Sequence, residues 1–393
     1  VTNDELPGFS TRALHAGQEA DPATGAVVTP IYQVSTYKQD GVGALRTGLG
    51  TGYEYSRSGN PTRTSLEVQF AALEQGDAAF AFASGLAAED AVLRALLVPG
   101  DHVVFPNDAY GGTYRLVKKV FEPWGVQHTP VDLGDLDAVR AAVEPGRTRL
   151  VWLETPTNPL LTIGDITAIA EIAHAAGALL VVDNTFASPY LQTPLLLGAD
   201  LVVHSTTKYA GGHSDVVGGV VAVRDGDDGR GGTLGARIGF HQNAMGAVPG
   251  AFDSWLVQRG LKTLAVRMER HCDNAERVVD FLTSHPRVTK VLYPGLPGFR
   301  NHDVAARQMR RFGGMVSFRT AGVEDALAVC AKTELFTLGE SLGGVESLVE
   351  HPGRMTHASV AGSLLEVPDD LVRLSVGIED ADDLVADLAQ ALG

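Results

Sequence analysis

Lys208 closes the run His204-Ser205-Thr206-Thr207-Lys208 and leads into Tyr209-Ala210-Gly211-Gly212-His213. A primary amine beside hydroxyls, at the end of an apolar stretch, can form a Schiff base with a carbonyl once burial or a nearby cation lowers its basicity. Seven lysines are present, and the other six (Lys38, Lys118, Lys119, Lys262, Lys290 and Lys332) sit in polar segments or at element ends where a solvated role suffices. Two further apolar runs end in polar clusters: one in Asp183-Asn184-Thr185, the other in Glu154-Thr155-Pro156-Thr157-Asn158-Pro159. A third ends in Ser84-Gly85-Leu86 and passes straight into a helical pattern, whose first-turn N–H groups and positive dipole end suit a phosphate. Each element alone has an ordinary reading: a strand-end cap for Asp183, a helix N-cap for Ser84, hydroxyls that satisfy backbone around 205–207.

Their placement gives them joint meaning. Short apolar runs at 78–83, 102–105, 150–153, 178–182, 201–203 and 216–223 alternate with helical segments such as 86–97 and 165–176. Continuous apolar runs predict strands buried on both faces, so the pattern is βαβ with a largely parallel sheet, an α/β fold of three layers. Ligands of such sheets bind beyond the carboxyl ends of the strands, which is where the amine, the acid and the phosphate cradle fall. Residues 1–60, weakly periodic and rich in Gly, Thr, Pro and Tyr, read as an extended arm. Residues 61–258 form the large domain, and residues 259–393 a smaller α+β domain, with an amphipathic helix at 261–284, strands near 288–293 and 314–318, and a helical C-terminus. An amine for a Schiff base, a carboxylate to keep a ring nitrogen protonated, and donors for a phosphate together suggest pyridoxal phosphate (PLP).

Composition narrows the classes. The 393 residues, 45% hydrophobic and 20% charged, allow a large buried core. Two cysteines, Cys272 and Cys330, make neither a disulfide framework nor a zinc knuckle and suit a reducing compartment. Asp and Glu number 47 against 31 Lys and Arg, and the net charge of −16 disfavours nucleic acid and anionic membrane as partners. No apolar run reaches the ~20 residues of a membrane span, and residues 1–5 are polar and acidic rather than a signal peptide, which makes the cytoplasm the expected location. The segment Gly41-Val42-Gly43-Ala44-Leu45-Arg46 breaks the dinucleotide-binding GxGxxG pattern, and neither a Gly-Lys dipeptide nor HExxH occurs. No metal site is expected.

The stretches Tyr55-Ser56-Arg57-Ser58-Gly59-Asn60-Pro61-Thr62-Arg63, Ser84-Gly85-Leu86-Ala87-Ala88, Asp108-Ala109-Tyr110-Gly111-Gly112-Thr113, Glu154 to Pro159, Val182-Asp183-Asn184-Thr185-Phe186, His204 to Tyr209, Glu340-Ser341-Leu342, and Arg373-Leu374-Ser375-Val376-Gly377 occur in order along nearly the whole chain. In them the sequence resembles the Cys/Met-metabolism family of PLP-dependent enzymes, the group of cystathionine γ-synthase, cystathionine γ-lyase and methionine γ-lyase. The resemblance implies a fold-type I PLP-dependent transferase. Lys208 resembles the lysine that carries the cofactor, Asp183 the partner of the pyridine nitrogen, and Tyr110 the ring stacked on the cofactor face. Gly85, Leu86, Ser205 and Thr207 resemble phosphate donors of one subunit, Tyr55 and Arg57 those of a neighbouring subunit, so a dimer would be the minimal active unit and a homotetramer of two dimers the expected assembly. Arg373 resembles the arginine that grips a substrate α-carboxylate, assisted by Asn158 and Ser341, and Glu340 an acidic position that meets the distal amino group of a long substrate.

The implied chemistry is proton removal from Cα and Cβ of an amino acid, with Lys208 as base and Tyr110 as proton relay, and loss or exchange of the γ-substituent. The first expectation is cystathionine γ-lyase activity, giving cysteine, 2-oxobutanoate and ammonia. Tyr190 in Ser188-Pro189-Tyr190-Leu191-Gln192, and Gly339-Glu340, resemble the lyase pattern. The alternative is a γ-synthase joining an O-acyl-homoserine to cysteine. Gly112 stands where methionine γ-lyases usually carry cysteine, and Glu340 where cystathionine β-lyases tend to carry an aromatic residue, so both are weaker readings.

Overall fold

In the computed structural model, residues 7–45, 52–226, 230–356 and 367–393 are described. Residues 1–5, the polar start discussed above, lie outside them, as do parts of the arm.

Seven strands form the central sheet: β1 (Ala78–Phe82), β2 (His102–Pro106), β3 (Gln127–Val131), β4 (Thr148–Glu154), β5 (Leu179–Asp183), β6 (Leu201–Ser205) and β7 (Gly219–Val223), in the order β1-β7-β6-β5-β4-β2-β3. From β3 through β6 all pairings are parallel, and β7 runs antiparallel to both its neighbours. Alternate residues of one strand enter opposite cores. Val151 and Leu153 of β4 join Leu180 and Val182 of β5 on one face, whereas Leu150 and Trp152 join Val181 on the other. Helices cover both faces and give the expected three layers. Asn60 caps the helix Pro61–Glu74 by accepting from the N–H groups of Thr62 and Arg63, and Ser84 Oγ accepts from Ala87 N at 3.0 Å to start the helix Gly85–Leu96.

The smaller sheet contains β8 (Lys290–Leu292), β9 (Met315–Arg319), β10 (Thr337–Leu338), β11 (Leu348–Glu350) and β12 (Leu371–Ser375), in the order β10-β11-β12-β9-β8. The 21-residue helix Leu264–Ser284 joins the two units: Leu264, Met268 and Cys272 pack in the large core, Ala275, Val278 and Leu282 in the small one.

Two differences from the sequence reading have physical causes. β3 carries Gln127, His128 and Pro130, which mask its strand character, and it is an edge strand where proline is tolerated. The C-terminal unit is not simply helical after 318, because β11 and β12 precede the final helix Ala381–Leu392; β12 buries Arg373 and Ser375 among its apolar residues, so no apolar run marks it. Among the described residues no helix is long and apolar enough to cross a membrane, and no group of three or more His, Cys, Asp or Glu could hold a metal ion.

Candidate active site

The carboxyl ends of β4, β5 and β6 open into a cavity of about 350 Å³, closed from the other side by the loop at 340–342 and by β12. Gly85, Leu86, Tyr110, Asn158, Asp183, Ser205, Thr207, Lys208, Glu340, Ser341 and Arg373 all line it. Eleven of the thirteen expected residues therefore meet at one place.

Its floor is acidic. Asp183 ends β5, with Oδ1 accepting from Thr185 N at 2.9 Å, and Glu89 and Glu154 line the same cavity. Burial raises the pKa of all three carboxyls, and the charge of Asp183 raises those of Glu89, to about 8, and of Glu154 further. Glu89 Oε2 is buried without a hydrogen-bond partner. Glu154 also positions two expected residues: it accepts from Tyr110 N at 2.9 Å and from Asn158 N at 2.8 Å.

Beside the floor, the helix that begins at Gly85 points its first turn at Ser205 and Thr207. Its opening N–H groups have no intrahelical acceptors. A Cβ at Gly85 would lie 2.9 Å from Ser205 Cβ, so glycine is what lets the helix start pack against the end of β6. Ser205 is held by donation from its N–H to Thr185 Oγ1 at 2.9 Å, and Thr207 Oγ1 accepts from Gly218 N at 3.1 Å.

Lys208 Nζ donates to Ser341 Oγ at 2.7 Å. Burial, and then the cation of Arg373, lower the lysine pKa to about 8. Ser341 is held at φ +101°, a costly conformation for a residue with a side chain, and its carbonyl accepts from Arg373 Nη2 at 2.8 Å. One strained residue thus places both the amine and the guanidinium. Arg373 Nη1 donates to Asn158 Oδ1 at 2.8 Å and pairs with Glu350 Oε1 at 2.9 Å. Ser317 Oγ, from the strand beside β12, donates to Pro159 O at 2.7 Å, tying the small sheet to the loop that carries Asn158.

Tyr110 precedes the helix Gly111–Leu116, and burial raises its phenol pKa. A Cβ on Gly112 would come within 2.3 Å of the Tyr110 ring, so glycine there lets the ring lie as it does. Glu340 is exposed at the cavity mouth. Tyr55 and Arg57 stay outside this cavity: they line a separate depression with Tyr32 and Gly246, where the Arg57 guanidinium lies 5.9 Å from the Tyr55 ring centroid. Tyr190 is also elsewhere, its hydroxyl donating to Glu269 Oε1 at 2.5 Å.

Sequence reasoning passed over Glu89, Glu350 and Thr356. Glu89 had one available signal, its position four residues after Gly85 on the helix that starts at the cradle. It also passed over the letters Gly339-Glu340-Ser341-Leu342-Gly343, which match the GxSxG pattern of hydrolases. That pattern needs a strand-to-helix elbow, whereas 339–343 lies between β10 and β11 and the base facing Ser341 is a lysine.

PLP fits these residues. An acidic floor calls for a cation such as a protonated ring nitrogen, a helix start opened by Gly85 suits a phosphate, and a lysine of lowered pKa stands between them. A sequence comparison finds 63% identity over 389 residues, 99% of this chain and 97% of the relative, to the cystathionine γ-synthase of Mycobacterium tuberculosis strain H37Rv. The cystathionine γ-lyase of Bacillus subtilis is 50% identical over 385 residues, 97% of this chain and 98% of the relative. The crystal structure of metB from Corynebacterium glutamicum superposes with a TM-score of 0.95 at 55% identity, covering 99% of each chain. Residues 10–393 match the family described as Cys/Met metabolism PLP-dependent enzyme, and the chain belongs to that family.

Proposed function

We propose that this enzyme acts at Cγ of cystathionine and of related α-amino acids, and that its first reaction is γ-elimination from L-cystathionine, which with one water gives cysteine, 2-oxobutanoate and ammonia. When bound, PLP supplies the electron sink that makes the Cα proton removable. The chain's residues do the rest. Arg373, backed by Asn158 and Ser341, holds the α-carboxylate; Asp183 holds the ring nitrogen; Gly85, Leu86, Ser205 and Thr207 hold the phosphate. Lys208 would carry the cofactor and take the Cα proton, and its lowered basicity leaves a useful neutral fraction near pH 8. Tyr110 lies on the cavity wall where a proton can be passed to the leaving γ-substituent. Glu340 at the mouth faces the distal amino group of a long substrate.

The observation that carries this reading is the meeting of Lys208, Ser341 and Arg373 through two 2.7–2.8 Å contacts, which places a base beside a carboxylate grip. A second reading, γ-synthase action on an O-acyl-homoserine and cysteine, is supported by the name of the 63%-identical relative. The two are separated by initial rates on one preparation: 2-oxobutanoate from cystathionine alone against cystathionine from O-acyl-homoserine plus cysteine. A larger kcat/KM for release identifies the lyase, and a larger value for thioether formation identifies the synthase.

We further propose a cytoplasmic homotetramer, a dimer of dimers in which Tyr55 and Arg57 complete a neighbour's phosphate site. Tyr55 is 47% exposed in the single chain, and it and Arg57 line a depression separate from the cavity of Gly85, Leu86, Ser205 and Thr207. Mixing Arg57→Ala with Lys208→Ala subunits should restore part of the activity by building one intact shared site. No recovery after verified subunit exchange would remove this arrangement.

A further inference from the structure

Arg373 already has a full-charge partner. Glu350 and Arg373 face each other across the β11–β12 ladder, both almost completely buried, with 2.9 Å between Oε1 and Nη1. Thr356 Oγ1 donates to the same Oε1 at 2.7 Å, while Oε2 is buried without a hydrogen-bond partner. Arg373 lines the cavity and Glu350 stands behind it, absent from the lining. A substrate carboxylate therefore approaches a neutral pair rather than a free cation.

Two carboxylates on one buried guanidinium cannot both stay ionised cheaply. Either the newcomer is repelled or one carboxylate becomes neutral, and the more deeply buried of them, with one unpartnered oxygen, is the one that gains from a proton. We propose that Glu350 is a proton-exchanging counter-ion of the substrate-binding arginine: as the α-carboxylate docks on Arg373, Glu350 takes up one proton from solvent, and affinity for the carboxyl end of the substrate falls as pH rises. This rests on the assignment of Arg373 to the α-carboxylate and extends it to a residue that does not touch substrate. Glu350 is thus a positioning residue, acting through Arg373.

The groups that face Glu350 set its balance. Arg373 and the Thr356 hydroxyl favour its ionised form, as does Lys208 from the end of β6; Glu340 opposes it from the cavity mouth, and the Cys330 thiol lies behind it. Burial outweighs the favourable contacts and already holds its pKa above the usual carboxylate value before substrate arrives.

The test uses the holoenzyme and propionate, a carboxylate with no amine to react with the cofactor. Calorimetric titrations at pH 6–9, in pairs of buffers with different ionisation heats, give both Kd and the protons taken up. For the wild type, Kd should rise by up to about tenfold per pH unit above the Glu350 pKa, with uptake approaching one proton. Glu350→Gln should bind propionate about tenfold more tightly at pH 8, with that uptake lost, and Glu350→Asp should restore the pH slope. Glu350 also acts on the Lys208 nitrogen, so uptake at that nitrogen is followed separately through the cofactor absorbance of each variant, and the difference that remains between wild type and Glu350→Gln is the readout. Equal uptake in the two proteins, or weaker binding by Glu350→Gln at every pH, overturns the proposal. If Glu350→Gln does not fold, Thr356→Val replaces it: loss of the hydroxyl should move the onset of the Kd rise to higher pH, and an unmoved onset is the contrary result. Unchanged propionate affinity in Arg373→Lys would instead show that the carboxylate docks elsewhere and that the underlying assignment fails.

Discussion

The two ends of the cavity handle charge in opposite ways. At the floor, burial raises the pKa of Glu89, Glu154 and Asp183, the Asp183 charge raises those of Glu89 and Glu154 further, and one oxygen of Glu89 lacks a partner. At the wall, Arg373 is neutralised by Glu350 and receives two further acceptors from Asn158 and Ser341. The floor carries unbalanced acidic charge without a bound cation, whereas the wall pairs its charges, although Glu350 Oε2 and Arg373 Nε lack hydrogen-bond partners, and must exchange one ionic partner for another. A ligand that stays should complete an unbalanced site, and a ligand that comes and goes should meet a balanced one. The proposed cofactor end and the proposed substrate end follow that division.

The largest expected effect lies where the two ends meet. Lys208→Ala should lower turnover by about 10⁴-fold or more, because base and cofactor linkage go together, and borohydride should no longer fix the cofactor to the chain. Retained borohydride labelling in that variant would place the linkage on another lysine. The wall also tunes this residue: the Arg373 cation helps lower the Lys208 pKa to about 8. Neutralising it in Arg373→Gln should therefore move the acidic limb of the kcat profile to higher pH. Next, Asp183→Asn should reduce kcat by about 10²–10³-fold and loosen the cofactor. Arg373→Lys, which loses the forked contact, should cost about 2–5 kcal/mol, expressed mainly in KM with the cofactor retained. Cofactor loss from Arg373→Lys, with full retention by Asp183→Asn, would break the comparison.

A smaller effect reads the floor alone. Glu89 has its folded-state pKa raised to about 8, from an ordinary value near 4.5. A group raised on folding gives stability that is fully present below the unfolded pKa and is lost as pH climbs through the folded one. The cofactor-free protein should therefore lose melting temperature between about pH 5 and 8. Glu89→Gln should raise Tm at pH 8 by about 2–4 °C while changing little at pH 5. Bound cofactor, whose cation meets the same floor, should erase most of that gain. An equal shift at both pH values would assign the effect to packing rather than charge.

What the sequence made legible follows the same physics. Asp183, Ser205, Thr207, Lys208, Gly85 and Leu86 stand just beyond apolar runs or at a helix start, and a buried parallel sheet brings such points to one edge whatever its details. Arg373 and Ser341 have no such marker. They lie in a small sheet whose strands are two to five residues long and whose central strand buries an arginine, so their roles were readable only through family resemblance. Glu350 was hidden for the same reason, since its burial comes from pairing with β12 and not from its neighbours in sequence. Glu89 has the look of a solvated helix carboxylate until the helix is packed over the floor. Tyr55 and Arg57 line a depression of their own, and their proposed service to a neighbouring copy was readable only through family resemblance.

The smallest effect tests the wall at its outer rim. Glu340 adjoins Ser341, is exposed, and raises the pKa of Tyr110 from the cavity mouth, so its charge reaches the interior weakly through solvent. An exposed carboxylate that meets a distal ammonium contributes about 0.2–1 kcal/mol, which corresponds to at most about a fivefold change in KM. Glu340→Ala should raise KM for cystathionine by roughly that factor and leave KM for a short O-acyl-homoserine, which has no distal amine, almost unchanged. The difference should shrink in high salt, since surface pairs are screened. Equal changes for both substrates would mean that Glu340 acts through the Ser341 backbone, whose carbonyl holds Arg373, and the rim would then belong to the carboxylate grip rather than to substrate choice.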